Sequence, residues 1–384
     1  VKIYYIANIR FPTEKAHGIQ LAKMCEAMIE QGADVTVVVP NRKTVIQAPQ
    51  EFYGLRDPLK VIKLPVINTY AWGRAGYVFG SLFFMFGYLF LFWWKRFISR
   101  EKFIIYTADM DQFSFVFIRL IGVPYFSEIH DAKKWSWPFA WFFNKISGVI
   151  TINHRIKESL IATFDIDALS PHRVLVYPNG IDIKNFDLGI SKEEARKTLG
   201  LPLNIEVVLY AGQFHSWKGL EIFAHAPKSF KEGAYLYIVG GTVEQLKSVS
   251  GEKDFPKNVV VVGYKNYKEM PLWLAASDVL IVLGTRKNEY SFLHTSPMKI
   301  FEYMAARRPI VASDTPAIRQ IVGVGEVLFY APDDAHDMAS KVNVAILDGS
   351  EIDRKVLKSY ERVKEFAWEK RAAAVFRVIS DATN

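Results

Sequence analysis

The sequence predicts an α/β protein made of two doubly wound parallel-sheet domains. Two observations carry this: a strand–helix rhythm along all 384 residues, and its division into two similar blocks near residue 180. A chain of this length holds enough residues for two cores. Half of it is hydrophobic and 23% is charged, the composition of a folded protein rather than a disordered one.

In the first block, residues 2–7 read as a strand, 19–30 as an amphipathic helix ended by Gly32, and 34–39 as the next strand. This βαβ unit requires a parallel sheet. Further strands are expected at 60–64, 103–107, 123–129, 148–152 and 173–177. Because the chain opens on a strand, no signal peptide is expected. The lone cysteine, Cys25, follows Leu21 and Met24 and precedes Met28 in an apolar helical pattern, so it reads as a core residue. With no partner for a disulfide and no Cys/His metal spacing, a reducing compartment is expected.

The second block repeats the rhythm, with strands expected at 206–211, 234–239, 258–262, 278–283, 309–313 and 326–330. Helices are expected at 267–276 and 297–306, and a final helical stretch from about 351 to 376. Such sheets bind ligands outside the carboxyl ends of their strands. After the 206–211 strand come Gly212, a loop through Trp217, and Lys218-Gly219 opening a helix through Leu220, Ile222 and Phe223. The glycine lets backbone approach a ligand, and a lysine at a strand-to-helix turn neutralises phosphate.

In the run from Ser296 to Ala306, Ser296 suits a helix cap and Pro297 the first helical position. The open N–H groups there favour an anion. Glu302 follows six residues after Ser296, roughly 9 Å along the axis at about 1.5 Å per residue. That spacing suits a ribose held by the carboxylate while the helix end holds the attached diphosphate.

These residues resemble glycosyltransferase family 4, the retaining enzymes with two facing Rossmann-like domains and an interdomain cleft (GT-B). Matching pieces are Ala16-His17-Gly18, Glu128-Ile129-His130-Asp131, Pro178-Asn179-Gly180-Ile181-Asp182, the 212–219 loop, the helix carrying Glu302, and Phe366-Ala367-Trp368-Glu369-Lys370. The resemblance implies an acceptor-side domain over residues 1–180, completed by a C-terminal helix at about 360–384, and a donor-binding domain over 181–359. It implies hexosyl transfer from a nucleotide sugar to a lipid-linked acceptor or a growing cell-surface glycan. No cofactor or metal is expected, because protein dipoles and Lys218 take the diphosphate charge.

By the same resemblance His130 lies near the reacting sugar carbon. Gly18, Gln213, Lys218, Pro297 and Met298 serve the donor diphosphate, His294, Ser296 and Lys299 its sugar, and Tyr264 and Glu302 the nucleotide. Two positions depart from the family. Gln213 stands where a basic residue is usual, so one phosphate-neutralising charge is missing, and His294 stands where a glutamate is frequent. A sugar-nucleotide 2-epimerase-like isomerase and a non-catalytic membrane or partner-binding protein of the same architecture remain alternatives.

The net charge of +8 is uneven: residues 1–180 carry 21 Lys/Arg against 14 Asp/Glu, and residues 181–384 carry 27 against 26. No nucleic-acid-binding motif accompanies the basic half, so nucleic acid is not an expected partner. An anionic membrane surface is, with a cytoplasmic, peripheral location on the inner face of the cell membrane. Residues 75–94 are free of charge and long enough to cross a bilayer of roughly 30 Å. A buried crossover helix, an interfacial helix and a true span are the three readings. Trp93-Trp94-Lys95-Arg96-Phe97 and the aromatic run after Lys133-Lys134 favour the interface.

Overall fold

The computed structural model describes every residue except 14, 43–46, 68, 70, 71, 109–112, 165, 167–172, 296, 297, 348 and 384. The chain folds as two units. The first comprises Val1–Gly180 with Trp368–Asn384, and the second Ile181–Ala367.

In the first unit the strands are β1 (Lys2–Ile6), β2 (Asp34–Pro40), β3 (Lys60–Leu64) and β4 (Ile104–Ala108). They continue with β5 (Tyr125–Ile129), β6 (Gly148–Thr151) and β7 (Val174–Val176). Among the described residues they form one parallel sheet in the order β3-β2-β1-β4-β5-β6-β7. The chain runs outward from β1 to β3, then crosses back to β4. β1 and β4 therefore meet at a switch point, outside whose carboxyl ends ligands bind. Helices cover both faces, so β4 and β5 are buried throughout.

The second unit repeats this winding with β8 (Glu206–Ala211), β9 (Ala234–Val239), β10 (Val259–Gly263), β11 (Val279–Val282), β12 (Ile310–Ser313) and β13 (Leu328–Tyr330). The described strands lie in the order β10-β9-β8-β11-β12-β13, so its switch point falls between β8 and β11. Valine, isoleucine and leucine fill the central strands, as parallel strands buried on both faces require.

Two expectations need correction. No α-helix starts at Lys218-Gly219; the chain there makes short 3₁₀ turns, Ser216–Lys218 and Leu220–Ala224. Pro227 has no N–H to bond back to Phe223, which prevents the turns from extending into a helix. The return to the first unit begins at Trp368, not near residue 360. The Gly349–Val363 helix stays with the second unit because Val363 is fully buried in its core and Phe366 packs against that core. Only the Trp368–Thr383 helix lies on the first unit, against the Ala16–Glu30 helix.

The apolar stretch forms the Gly73–Trp93 helix, extended by a π turn at Trp94–Ile98. It is neither buried all round nor free. Phe84, Met85, Tyr88, Leu89 and Phe92 enter the core of the first unit. The hydroxyl of Tyr88 donates to the Ser114 carbonyl at 2.8 Å, and the amide of Asn8 donates to Ser81 Oγ at 2.9 Å. The strands on either side of it in sequence, β3 and β4, belong to one parallel sheet, so this helix does not span a bilayer in this fold.

Candidate functional site

In the first unit the chemistry gathers at the carboxyl end of β5. Glu128 and His130 are two residues apart, so both project to one side of the strand. The His130 Nε2–H donates to Glu128 Oε1 at 2.7 Å, which leaves Nδ1 as the ring nitrogen able to face a ligand. Glu128 is 0% exposed and also accepts from Gln20 Nε2 at 2.6 Å and the Tyr106 hydroxyl at 2.8 Å.

Its counter-charge comes from the last helix. Arg371, equally buried, donates from Nη1 to Glu128 Oε2 at 3.1 Å and places Nη2 2.7 Å from Oε1. Its Nε holds the Pro178 carbonyl at 2.9 Å. Burial alone would push the Glu128 carboxyl up. The Arg371 charge and the hydrogen bond from His130 outweigh it and hold the group well below the usual carboxylate range. Sequence reading found His130 but missed this support. The i, i+2 spacing of Glu128 and His130 is a local signal that could have found the carboxylate, and none could have found Arg371.

Gly18 lies buried in the first turn of the Ala16–Glu30 helix. A Cβ there would come within 2.5 Å of both Thr13 Cγ2 and the Tyr53 hydroxyl, so local packing already demands glycine.

In the second unit the cluster sits just past β8. Lys218 Nζ donates to the Gln213 carbonyl at 2.7 Å and lies 5.1 Å over the Trp217 ring. Burial pulls its ammonium down to about 8. Lys299, on the Met298–Ala305 helix, reaches back to donate to the Ala211 carbonyl and rests 5.1 Å over Tyr210. Its amine occupies the space that a Cβ at Gly212 would take. The glycine thus admits a side chain from its own fold, where close approach of a ligand was expected.

Burial, and then the charge of Lys218, hold Lys299 well below the usual lysine range, while Glu302 pulls it back up. His215 is lowered by burial and by the same two lysines. Three groups able to carry positive charge therefore act on one another across the loop. Lys299, expected at the donor sugar, thus lies beside the loop in which Gln213 replaces the basic residue the resemblance would place there.

Glu302 is buried one turn beyond Lys299. Burial pushes its carboxyl up to about 7 against the pull of Lys299 and a hydrogen bond from Tyr267. Tyr264 stands exposed on the wall of a groove of about 780 Å³, with Gln213, Phe214, His215, Gly240 and Thr242. His294, in the Tyr290–His294 π turn, lies 3.9 Å from Glu289. Met298 opens the helix that carries Lys299 and Glu302. Ser296 and Pro297, expected to cap that helix, lie outside the described residues.

Residues 18–185 match the family model described as Glycosyltransferase Family 4, and residues 205–348 that described as Glycosyl transferases group 1. The alpha-D-kanosaminyltransferase of Streptomyces kanamyceticus is 22% identical over 241 residues, covering 57% of this chain and 60% of the relative. A UDP-Gal:alpha-D-GlcNAc-diphosphoundecaprenol alpha-1,3-galactosyltransferase of Escherichia coli is 25% identical over 175 residues, 43% of this chain and 42% of that protein. The chain spans about half the length of the curated relatives it matches. The structure of Anabaena HepE in complex with UDP and glucose superposes with a TM-score of 0.71 at 16% identity, covering 99% of each chain. At that identity the likeness shows the fold: two Rossmann-like domains of the GT-B kind.

Proposed function

The chain belongs to glycosyltransferase family 4, and from that premise we propose a retaining, metal-independent hexosyltransferase that takes a nucleotide sugar as donor. The observation that supports this best is the convergence of Lys218, Lys299 and His215 beside Gly212 at the carboxyl end of β8. Fixed charge aimed at a leaving diphosphate lowers the barrier without reorganisation. In the proposed step the anomeric carbon–oxygen bond to the diphosphate breaks while the acceptor hydroxyl oxygen bonds the same face. Its proton passes to a donor phosphate oxygen. His130 acts at the reacting carbon, and the donor is the sole small-molecule requirement.

The acceptor is proposed to be lipid-linked or a growing cell-surface glycan, met by a cytoplasmic enzyme peripheral on the inner face of the membrane. The E. coli relative's name specifies a diphosphoundecaprenol acceptor, which supports that choice. UDP-glucose is the first donor to try, because the Anabaena structure holds UDP and glucose. UDP release on adding a polyprenyl-diphosphate glycan, with an axial product linkage by NMR and no loss in EDTA, is the expected result. Conversion of the nucleotide sugar without acceptor would point to an isomerase. Donor binding with no turnover on any acceptor would point to a non-catalytic protein, the reading that Gln213 and His294 motivate.

His130→Ala is expected to lower turnover on the order of a hundredfold while leaving donor affinity nearly unchanged. Unaltered turnover would return His130 to a structural role.

Donor affinity should depend on pH with a maximum between about 7 and about 8. A bound diphosphate raises the Lys218 value, so binding is tightest while Lys218 is already protonated and weakens as pH rises through about 8. Glu302 accepts ribose hydroxyls fully only as a carboxylate, so binding weakens as pH falls through about 7. Calorimetry with UDP-glucose reads both limbs, since its diphosphate keeps a constant charge across this range. Glu302→Gln should abolish the acid limb and cost about 1.5–3 kcal/mol of affinity at pH 8. A flat profile from pH 6 to 9 would remove both residues from the donor site.

A further inference from the structure

The free face of the Gly73–Trp93 helix is a single apolar stripe. Phe79, Phe83, Phe86, Phe90, Trp94 and Phe97 follow one another at steps of three or four residues, the spacing of one helical face. They are 44% to 74% exposed, while the opposite face is packed into the core. Over 18 residues at about 1.5 Å each the stripe runs roughly 27 Å. No acidic side chain falls between residues 75 and 98.

The cations expected to rim this face are mostly engaged within the fold. Lys95 pairs with Glu101 at 3.4 Å and lies 5.0 Å over the Tyr4 ring, Arg96 donates to the Ile121 carbonyl, and Lys133 is 8% exposed. Lys134, Arg100 and Lys102 stay exposed. The aromatic run after Lys134 divides in the same way. Phe142 and Phe143 are core residues, and Trp135 and Trp137 are exposed. Trp141 takes Arg119 at 4.6 Å over its ring, and Trp93 Nε1 donates to the Leu120 carbonyl at 3.0 Å. The Val116–Ile121 turn thus ties both aromatic patches together.

We propose that this stripe lies in the plane of a lipid bilayer with its phenylalanine rings among the acyl chains, so that apolar insertion rather than headgroup charge holds the protein to the membrane. A lipid surface fits because the stripe is long, unbroken by polar groups and carries Trp94 near its end, and tryptophan favours the boundary between acyl chains and headgroups. The exposed charges past its end, Arg100 and Lys102, are cations, as lipid phosphates would favour. The proposal deepens the reading of a membrane-borne acceptor and rests on it only for its biological use.

The test is flotation of the full chain with phosphatidylcholine vesicles in 1 M NaCl. Wild-type protein should float, and acyl-brominated lipid should quench its tryptophans. Phe86→Ser with Phe90→Ser should lower the partition coefficient at least tenfold with unchanged Tm and UDP-glucose affinity. Three outcomes overturn the proposal: wild-type protein left in the dense fraction, binding that needs anionic lipid and is lost in salt, or a stripe variant that only turns a dimer into a monomer. UDP release onto a detergent-free, short-chain acceptor is scored separately, so failure of flotation and failure of the transferase reading are told apart.

Discussion

Lys218→Ala is expected to lower turnover by about a hundredfold or more with the fold intact. The Lys218 amine donates to the Gln213 carbonyl and lies over the face of Trp217, and among the described residues it has no acidic partner, so its removal strands no counter-charge. Its cost should fall on the leaving diphosphate. Burial has lowered the ammonium to about 8, and an arriving diphosphate would raise it and hold the charge in place. Lys218→Arg should recover part of the rate. The loss should be larger in kcat than in donor affinity, since charge on the leaving group grows toward the transition state. Near-normal turnover in a correctly folded variant would take Lys218 out of the reaction.

Arg371→Met is expected to destabilise the first unit by about 3–5 kcal/mol, the usual effect of removing one partner of a buried pair. Glu128 would be left fully buried among Gln20, Tyr106 and His130 with its one strong counter-charge gone. The pH dependence checks the cause. In the wild-type fold the Glu128 value is depressed, so its contribution is present above the unfolded value and lost as pH falls through the folded one. In the variant burial dominates and the folded value rises. Its stability then increases as pH falls, opposite to wild type. Urea unfolding at pH 5 and pH 8 reads the variant's slope, whereas wild-type Glu128 is ionised in both states across that window and contributes no slope until the pH is more acid. Adding Glu128→Gln to the variant should recover much of the loss, and a single-variant cost under about 1 kcal/mol would show that the pair matters little.

The strands were legible because parallel strands buried on both faces read as short runs of valine, isoleucine and leucine between turns. The expected 206–211 and 234–239 strands coincide with β8 and β9. The 3₁₀ turns after Lys218 were not legible, since Leu220, Ile222 and Phe223 suit an α-helix until Pro227 is weighed against them. Lys299 was read as a sugar contact at a helix start. Its path over Gly212 depends on the Met298–Ala305 helix lying against β8, which no local pattern states.

By itself the sequence determined the order of the strands and the two windings, because each rests on local periodicity, and its motifs, by their resemblance to a family, singled out Lys218, Glu302 and His130 as candidates. Only the tertiary structure decided which charges meet and which apolar face stays uncovered. Glu128 and Arg371 are 243 residues apart, and they meet because the last helix packs back against β6, β7 and the Ala16–Glu30 helix. The Gly73–Trp93 helix is apolar all round, so its composition could not say which side the core would take. The position of β3 and β4 in one sheet presses one face inward, and the phenylalanines of the other face are left at the surface.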